Sequence, residues 1–408
     1  WLDNLGLPHP VVIAGPCSAE TEEQVLKTAH ELKDTDTNIF RAGIWKPRTR
    51  PGGFEGVGEK GLPWLQRVRE ETGLKVTTEV GNADHVEKAL KYDIDILWIG
   101  ARTTVNPFAV QEIADALKGV DKPVLVKNPV NPDLALWLGG VERIKAAGIN
   151  QLGVIHRGFS SYKTLNYRNK PKWHIAIELK KEFPDLPLIL DPSHICGRRD
   201  TILDVSQTAL DLNYDGFMIE THITPDDAWS DAKQQITPSR LKEIIEDLVI
   251  RKQTSSKETF QQKLNIYRDD LDKIDNHLLA ILKSRMDISE QIGLLKRTEN
   301  VAILQSARWE EILKSMHDEA TKKGLNQEFI TEIFKAIHVE SIKTQQQTKK
   351  KALQIPKRKC VRAKKYMYMR ICIYLCVLRE THHYRGQERA TAHPIYSTIE
   401  PPFWKRHI

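Results

Sequence analysis

Eight short apolar runs, separated by amphipathic stretches, fill residues 11–222. Such runs are typical of strands buried on both faces of a parallel sheet, because the intervening helices cover those faces. Eight units in roughly 240 residues predict an α/β fold, a closed (β/α)8 barrel. An open doubly wound sheet is the alternative, but it normally has fewer strands and a single crevice. The predicted strands are Val11–Gly15, Ile39–Gly43, Lys75–Thr78, Ile96–Gly100, Val124–Lys127, Gln151–Ile155, Leu188–Leu190 and Gly216–Ile219.

Helical patterns lie between these strands and after the last one. Ser239–Arg251 is predicted to be the final helix that closes the barrel, so we assign residues 1–251 to this first domain. The clearest helical patterns between the strands are Thr21–Leu32, His85–Leu90, Pro107–Leu117 and Lys172–Phe183.

A different pattern follows a polar linker, which we place at residues 252–262. From Glu258 to about Gln347 there is no proline and no strand signal. Residues 263–348 are predicted to form an all-α domain of three helices, Lys263–Lys296, Ser306–Lys322 and Asn326–Gln347. The first, at 34 residues, is too long to be covered by its own small domain, which predicts packing against a second copy of the chain.

The last 60 residues have a composition of their own. Residues 349–408 hold 15 Lys/Arg and 3 Asp/Glu, a net charge of +12 within a chain of +7, so the remainder carries −5. A basic tail could bind nucleic acid or an anionic surface. We expect instead a disordered or non-native extension, with neither nucleic acid nor a membrane as a partner.

Cysteine usage and hydropathy bound the cellular location. Only Cys17 and Cys196 lie before residue 349, which is typical of a reducing compartment and not of a disulfide framework. We find no apolar run long enough to cross a bilayer and no signal segment at the start. The chain is therefore expected in the cytoplasm.

Polar residues stand where each predicted strand ends. Any one of them could be a surface ion-pair partner, but agreement across all eight strands favours an active site, since barrel active sites are built at this rim. The set comprises Cys17, Arg41, Lys46, Glu79, Arg102, Lys127, Arg157, Asp191, His194 and Glu220.

Two kinds of chemistry can be separated within this set. Six cations at one mouth would repel one another without an anionic ligand, so they predict a substrate with phosphate and carboxylate groups. They are Arg41, Lys46, Arg48, Arg102, Lys127 and Arg157. One thiolate, one imidazole and two carboxylates suit a divalent metal softer than Mg²⁺. These are Cys17, His194, Glu220 and Asp231, with Cys196 as a rival ligand and a buried apolar role as the alternative for Cys17.

Seven short motifs lie at or near the predicted strand ends: AGPCS (Ala14–Ser18), RAGIWKPRT (Arg41–Thr49), IGART (Ile99–Thr103), LVKNP (Leu125–Pro129), HRGF (His156–Phe159), DPSH (Asp191–His194) and ETH (Glu220–His222). Together they resemble 3-deoxy-D-arabino-heptulosonate 7-phosphate (DAHP) synthases, and the compact barrel is similar to their type Iβ branch. The resemblance runs from about residue 8 to 250.

The resemblance implies roles for these residues. A divalent ion would be held by Cys17, His194, Glu220 and Asp231; we expect Mn²⁺, with Fe²⁺, Co²⁺ or Zn²⁺ as alternatives. Phosphoenolpyruvate would be bound by Arg41, Lys46, Arg102, Lys127 and Arg157. Erythrose 4-phosphate would be held by Pro47, Arg48 and Thr49. The sister synthases of an eight-carbon sugar acid typically have an Asn-containing loop there, so this stretch favours the seven-carbon product.

The implied reaction is an aldol-like condensation. Lys46 is the candidate general acid, since a lysine among other cations should have a lowered pKa. Glu79 is assigned a supporting role near the attacking water or the cations.

The helical segment carries several cationic residues, and their spacing alone would fit a solvated charged face, since Arg268 and Arg285 share a helix face only loosely. Three of its stretches are more specific: Leu264–Lys296, SARWEEIL (Ser306–Leu313) and HVESIKTQQ (His338–Gln346). These stretches resemble AroQ-class chorismate mutases.

The resemblance implies that chorismate or prephenate is bound without covalent catalysis, in a homodimer whose first helix reaches the partner's site. Two positions depart from the family, since Gln305 and Trp309 replace frequently acidic residues. The implied site residues are Arg268, Arg285, Lys296, Arg308, Ser341 and Gln345.

Three interpretations of the helical domain remain open at this point. Both sites could work independently as a bifunctional enzyme. The helical domain could instead be a weakly catalytic sensor through which prephenate or chorismate inhibits the barrel. It could also be an assembly module only, although the retained polar residues argue against that interpretation.

Overall fold

The computed structural model describes residues 2, 6–47, 52–161, 166–252 and 254–353, with the backbone alone for 348–353. Eight parallel strands form a closed barrel in which β1 pairs with both β2 and β8. The predicted (β/α)8 barrel is therefore confirmed. The strands are β1 (Val11–Gly15), β2 (Ile39–Arg41), β3 (Lys75–Val80), β4 (Ile96–Ile99), β5 (Val124–Lys127), β6 (Leu152–His156), β7 (Leu188–Leu190) and β8 (Gly216–Glu220).

Helices connect the strands, and several of them begin at a residue suited to that position. Thr21 and Asn82 accept hydrogen bonds from backbone N–H groups in the first turns of α1 and α3 through their side chains. Pro107 and Pro238 occupy first helical turns, where no backbone donor is lost. These helices are α1 (Glu22–Lys33), α2 (Gly61–Thr72), α3 (Ala83–Lys91), α4 (Ala101–Thr104), α5 (Pro107–Ala116), α6 (Leu134–Ala146), α7 (Trp173–Glu182), α8 (Pro192–Cys196), α9 (Ile202–Asp211) and α10 (Pro238–Asp247).

The apolar core has two layers, as the alternation of side chains along the strands requires. Side chains that point into the barrel form the inner cluster, which includes Ile13, Ile39 and Trp98 and is joined near the N-terminus by Leu2 and Leu7. Side chains that point outward pack against the helices in the larger cluster. The barrel interior is thus a filled core, which leaves the carboxyl ends of the strands as the place for a site.

The end of β1 depends on a glycine. Gly15 has a φ of 145°, and a Cβ there would lie 2.1 Å from the carbonyl oxygen of Arg41 in the neighbouring strand. Only glycine allows this approach, and it brings the loop that carries Cys17 against the end of β2.

The helical unit consists of three helices, α11 (Glu258–Thr298), α12 (Ser306–Lys322) and α13 (Gln327–Leu353). The chain divides into units of residues 1–255 and 256–408. The first helix begins at Glu258, five residues before the predicted start, so residues 258–262 are helical and the predicted linker was too long. Of the predicted tail, residues 349–353 continue α13 and residues 354–408 lie outside the described residues.

Close packing joins α11 to α13. A Cβ at Gly293 would lie 2.9 Å from the Cα of Gln345, so a larger residue would force the two helices apart. In the described part of the chain, no helix combines the length and apolar character needed to span a membrane.

The N-terminal half of α11 leaves apolar side chains in water. Tyr267, Leu271, Ile274, Leu278 and Ile281 are each more than half exposed. They recur at steps of three and four residues, so they belong to one side of the helix.

Candidate active sites

The carboxyl ends of the strands bring the predicted barrel residues to one rim. Arg41, Lys127 and Glu220 are the last residues of β2, β5 and β8. Cys17 follows β1 by two residues, and Arg157 directly follows β6. Because the strands are parallel and the barrel is closed, residues distant in sequence meet above its centre.

Three of the four predicted metal ligands form a tight cluster. Ligand atoms of Cys17, Glu220 and Asp231 all lie within 4.8 Å of one another, and Cys17 Sγ is 3.3 Å from Asp231 Oδ2. Glu220 Oε1 is buried without a hydrogen-bond partner among the described residues. Burial, with the Glu220 carboxylate next, raises the pKa of the Cys17 thiol to about 12. Glu220 Oε1 lies 3.4 Å from Arg41 Nη2. A divalent cation would stabilise the thiolate and be bound by this oxygen, so the donor set fits one.

The fourth predicted ligand, His194, lies beside this cluster. Its Nδ1 is 2.9 Å from Asp191 Oδ2, which leaves Nε2 facing Glu220 Oε1 at 3.7 Å. A histidine held by a carboxylate through one nitrogen presents the other to a metal. The rival ligand Cys196 ends α8 and is not part of the cluster formed by the described ligand atoms.

A cationic cavity adjoins the cluster. Arg41 is 1% exposed and lies over the Trp98 ring at 5.0 Å, while its Nε and Nη1 have no partner among the described residues. Buried donors of this kind are costly unless a ligand accepts from them. The cavity is lined by Arg41, Lys46, Pro47, Glu79, Ala101, Arg102, Lys127, Val130, Arg157, Arg168, His194 and Asp231.

Two further cations show the electrostatic character of the cavity. Lys127 Nζ is 2.8 Å from Asp191 Oδ2 and 5.6 Å from the Trp98 ring centroid. Burial lowers the pKa of Arg157 to about 10, and the neighbouring Arg168 and Arg102 act in the same direction. An anion in the cavity would relieve this repulsion, as the sequence predicted.

Lys46 bridges the cavity and the cluster. Its Nζ is 3.0 Å from the Cys17 carbonyl oxygen and 3.1 Å from Cys17 Sγ. Burial lowers its pKa, but the acidic groups of Cys17, Glu220 and Glu79 outweigh burial and raise the pKa above its usual value. The expectation of a lowered pKa was therefore wrong, because acids and not the other cations are the nearest neighbours.

Glu79 is held in place by two features. Its Oε2 accepts a hydrogen bond of 2.9 Å from Trp98 Nε1. A Cβ at Gly100 would lie 2.1 Å from Glu79 Oε1, so glycine leaves room for the carboxylate. Of the residues predicted to hold the second substrate, Pro47 lines the cavity, whereas Arg48 and Thr49 lie outside the described residues.

Sequence analysis missed three residues that hold the cluster. Arg168 Nη1 donates to Asp231 Oδ1, and Gln234 Nε2 donates to Glu220 Oε2. Gln235 Oε1 accepts from the backbone N–H of Cys17. None of the three lies at the end of a predicted strand, which was the position used to predict site residues from the sequence.

The helical unit contains its own cavity of about 860 Å³. Arg285 Nη1 donates to Ser341 Oγ at 2.6 Å, and Lys296 Nζ donates to the Ile303 carbonyl oxygen at 2.7 Å. Five of the six predicted residues line this cavity, and they are Arg285, Lys296, Arg308, Ser341 and Gln345. The two departures from the family, Gln305 and Trp309, line it too, and Trp309 stacks on His338 with ring centroids 4.1 Å apart.

The sixth residue, Arg268, is not among the residues that line the cavity in this single chain. It lies on the exposed N-terminal half of α11, between the exposed apolar residues Tyr267 and Leu271.

Known proteins resemble both units. Residues 5–257 match the DAHP synthetase I family, and residues 267–346 match chorismate mutase type II. A phospho-2-dehydro-3-deoxyheptonate aldolase of Thermotoga maritima is 34% identical over 244 residues, covering 60% of this chain and 70% of that protein. A 2-dehydro-3-deoxyphosphooctonate aldolase of Wolinella succinogenes is 30% identical over 264 residues, covering 59% of this chain and 98% of that protein. The crystal structure of the Thermotoga maritima aldolase (DAHP synthase) superimposes with a TM-score of 0.53 at 32% identity, covering 58% of this chain and 67% of that one.

Proposed function

Because the chain belongs to the DAHP synthetase I family and carries a chorismate mutase type II domain after the barrel, we propose two activities for it. The barrel condenses phosphoenolpyruvate with erythrose 4-phosphate to DAHP and phosphate, and this reaction depends on a divalent metal. The helical unit rearranges chorismate to prephenate. Both reactions belong to the shikimate pathway of aromatic amino acid biosynthesis.

The observation that carries the barrel assignment is the position of the cationic cavity directly beside the cluster of Cys17, Glu220 and Asp231. Phosphoenolpyruvate carries a phosphate and a carboxylate, and the unpartnered buried donors of Arg41 suit one of these groups. Arg102, Lys127 and Arg157 surround the same space and would bind the other.

In the proposed reaction, C3 of phosphoenolpyruvate forms a bond to the aldehyde carbon of erythrose 4-phosphate, whose oxygen takes up a proton. Water adds at C2, the bond from C2 to the phosphate oxygen breaks, and the added oxygen becomes the C2 ketone as phosphate leaves. Of the two protons of the water, one balances the new hydroxyl and the other leaves with phosphate. A divalent ion held by Cys17, His194, Glu220 and Asp231 supplies Lewis-acid polarisation of the aldehyde; Mn²⁺ is our first choice.

Lys46 and Glu79 are the chain's own proton-handling groups in this proposal. Lys46 lines the cavity with its Nζ 3.1 Å from Cys17 Sγ, and in this proposal it protonates the new hydroxyl. Its raised pKa keeps it protonated at neutral pH. Glu79, fixed by Trp98, orients the water that adds at C2.

Consumption of phosphoenolpyruvate tests the barrel assignment. The full chain is incubated with erythrose 4-phosphate and Mn²⁺, with and without a chelator, and with arabinose 5-phosphate as the matched five-carbon aldose phosphate. We expect chelator-sensitive consumption with erythrose 4-phosphate only. Consumption with arabinose 5-phosphate would show the octulosonate reaction of the sister relatives, and no consumption with metal bound would refute both substrates.

The cavity of the helical unit carries the mutase proposal. Arg285 and Arg308 would bind the two carboxylates of chorismate, while Lys296 and Gln345 face its ether oxygen and Ser341 lies beside them. Such a site accelerates the rearrangement by holding a reactive conformer and stabilising charge that develops on the ether oxygen. Loss of chorismate absorbance, with and without Arg285→Ala, measures this activity directly.

We also propose a homodimer that forms through α11. Exposed Leu271, Ile274, Leu278 and Ile281 would each contribute about 1.5–3 kcal/mol if fully buried. A partner helix on this side would bring Arg268 to the partner's cavity. Sedimentation of the full chain and of Ile274→Asp tests this, since a wild-type monomer at micromolar concentration would contradict it.

Regulation completes the proposal. Prephenate or chorismate bound in the helical cavity inhibits the barrel, which would make the helical unit a sensor as well as an enzyme. Adding prephenate to the phosphoenolpyruvate assay tests this. Unaffected consumption would leave two independent enzymes on one chain, and absence of both mutase activity and prephenate binding would leave only an assembly role for the helices.

A further inference from the structure

The carboxamide of Gln234 lies between Glu220 and Arg168. Its Nε2 donates to Glu220 Oε2 at 2.6 Å, and its Oε1 accepts from Arg168 Nη1 at 2.6 Å. Because a guanidinium can only donate, the amide oxygen must face Arg168 and the amide nitrogen must face Glu220. Arg168 therefore determines the orientation of the Gln234 carboxamide.

The same guanidinium nitrogen also donates to Asp231 Oδ1 at 2.9 Å. One oxygen of each clustered carboxylate is thus engaged by this network. The other two oxygens remain directed at the cluster: Asp231 Oδ2 lies 3.3 Å from Cys17 Sγ, and Glu220 Oε1 lies 3.4 Å from Arg41 Nη2 and 3.7 Å from His194 Nε2.

The backbone around Arg168 is attached to α8, which carries the fourth ligand. Arg168 N donates to the Cys196 carbonyl oxygen, and Asn169 Nδ2 donates to that of His194 at 2.7 Å. The side chain of Arg168 crosses Gly197, where a Cβ would lie 2.5 Å from the Cβ of Arg168. A larger residue at Gly197, which also has a φ of 68°, would displace the arginine.

We propose that Arg168 and Gln234 are positioning residues that select which carboxylate oxygens of Glu220 and Asp231 face the metal. This inference rests on the proposed metal site. Partners of this kind, which hold metal-binding groups without touching the ion, change metal affinity by about 10- to 100-fold when they are replaced. Since the side chain of Arg168 is 44% exposed, its ion pair adds little to folding stability, and the Arg168 variants are expected to fold. Gln234 is buried, so the melting temperature of Gln234→Leu is measured beside its metal affinity.

Binding of Co²⁺ alone to the full chain tests the proposal, with thiolate-to-cobalt absorption and the ligand-field bands as readouts. Arg168→Gln and Gln234→Leu should each bind about 10- to 100-fold more weakly, with shifted ligand-field bands. Arg168→Lys should recover part of the affinity, because one ammonium can still donate to Asp231 or Gln234. The matched control is Arg198→Gln, which removes an exposed arginine that pairs with the exposed Asp200 and should bind as the wild type does.

The outcomes separate this inference from the function on which it rests. A wild-type chain without a Co²⁺ absorption band that depends on Cys17 would refute the metal site itself. Normal binding and unshifted bands in Arg168→Gln and Gln234→Leu, beside a wild type that binds, would refute the positioning role. A raised KM for the phosphorylated substrates with unchanged Co²⁺ affinity in Arg168→Gln would make Arg168 a substrate ligand instead, and would also overturn the inference. If Arg168→Gln or Gln234→Leu melts well below the Arg198→Gln control, the Co²⁺ affinity and the ligand-field bands of Arg168→Lys decide the test.

Discussion

At the scale of single residues, the chemistry of the barrel site depends on which side chains are in contact, and the residue types alone do not determine it. Lys46 illustrates this: in sequence it belongs to a row of cations, whereas in the structure its ammonium lies against the Cys17 thiol and near two carboxylates. The direction of its pKa shift follows from those neighbours.

Replacing Lys46 by Met should remove the proton donor and leave the metal-binding side chains in place. We expect turnover to fall by roughly 10²- to 10⁴-fold, measured as phosphoenolpyruvate consumption, with Co²⁺ binding retained. Lys27→Met, which removes an exposed ion pair with Glu23, is the matched control. Near-normal turnover in Lys46→Met would show that another group supplies the proton.

Gly100→Ala tests the placement of Glu79. The new Cβ would lie 2.1 Å from Glu79 Oε1, and the carboxylate would have to move away. Since a displacement of about 1 Å can cost about 100-fold in rate, we expect a comparable loss in kcat with an unchanged melting temperature. Gly139→Ala, which meets nothing within 4 Å, should retain full activity. Equal activity in both variants would exclude a role for Glu79 in turnover.

At the scale of elements, the end of β6 is held by a buried histidine. His156 Nε2 is 2.6 Å from the Pro171 carbonyl oxygen, so it must donate there, and Nδ1 then accepts from the Tyr214 hydroxyl at 2.8 Å. The neutral ring therefore joins β6 to the segment before α7 and to the segment before β8. Arg157, the next residue, takes its position in the cavity from this anchor.

This anchor predicts a pH dependence of stability. Burial lowers the pKa of His156 to about 4 in the folded chain, whereas an unfolded histidine titrates near 6.5. Between these values the unfolded chain binds more protons than the folded chain does. The stabilisation by the neutral His156 ring is therefore present above about pH 6.5 and is lost as the pH falls towards 4. A shift of this size corresponds to about 3 kcal/mol.

Calorimetry of the barrel transition at pH 7 and pH 4.5 measures this effect. The wild type should lose more stability on acidification than His156→Gln, which is less stable at pH 7 but lacks the titrating ring. His174→Gln is the matched control, since His174 is exposed, whereas His156 packs against the rings of Trp173 and Tyr214. Parallel pH profiles for wild type and His156→Gln would contradict the assignment.

At the scale of the whole molecule, the chain joins two units with separate cavities, and the proposed regulation requires binding in one to change the rate of the other. Coupling of this kind typically amounts to about 5- to 150-fold. In the full chain, Arg285→Ala should abolish inhibition of phosphoenolpyruvate consumption by prephenate and leave the uninhibited rate unchanged. Lys335→Ala, an exposed ion-pair variant of the same unit, should remain inhibited. Inhibition that persists in Arg285→Ala would place the prephenate site elsewhere.

The fold could be predicted well because its signals are local. Apolar runs such as Val11–Gly15 and Val124–Lys127 match the observed strands to the residue, since burial on both faces requires continuous apolar sequence. The start of α11 was predicted five residues late. Its first turn is mostly polar and exposed, so no periodic pattern of apolar residues marks it in the sequence.

By itself, the sequence determined the succession of strands and helices and the residue types at the strand ends, because periodicity and strand position are properties of neighbouring residues. Only the tertiary structure decided which of those side chains share a cluster, which way the pKa of Lys46 shifts, and that Arg168 and Gln234 orient the carboxylates. These outcomes depend on distances between loops that lie far apart along the chain, such as those of Cys17 and Asp231, which are 214 residues apart, and no local pattern encodes such distances. In the single chain Arg268 does not line the cavity of its own unit, so its predicted place in a site depends on the proposed contact between two chains.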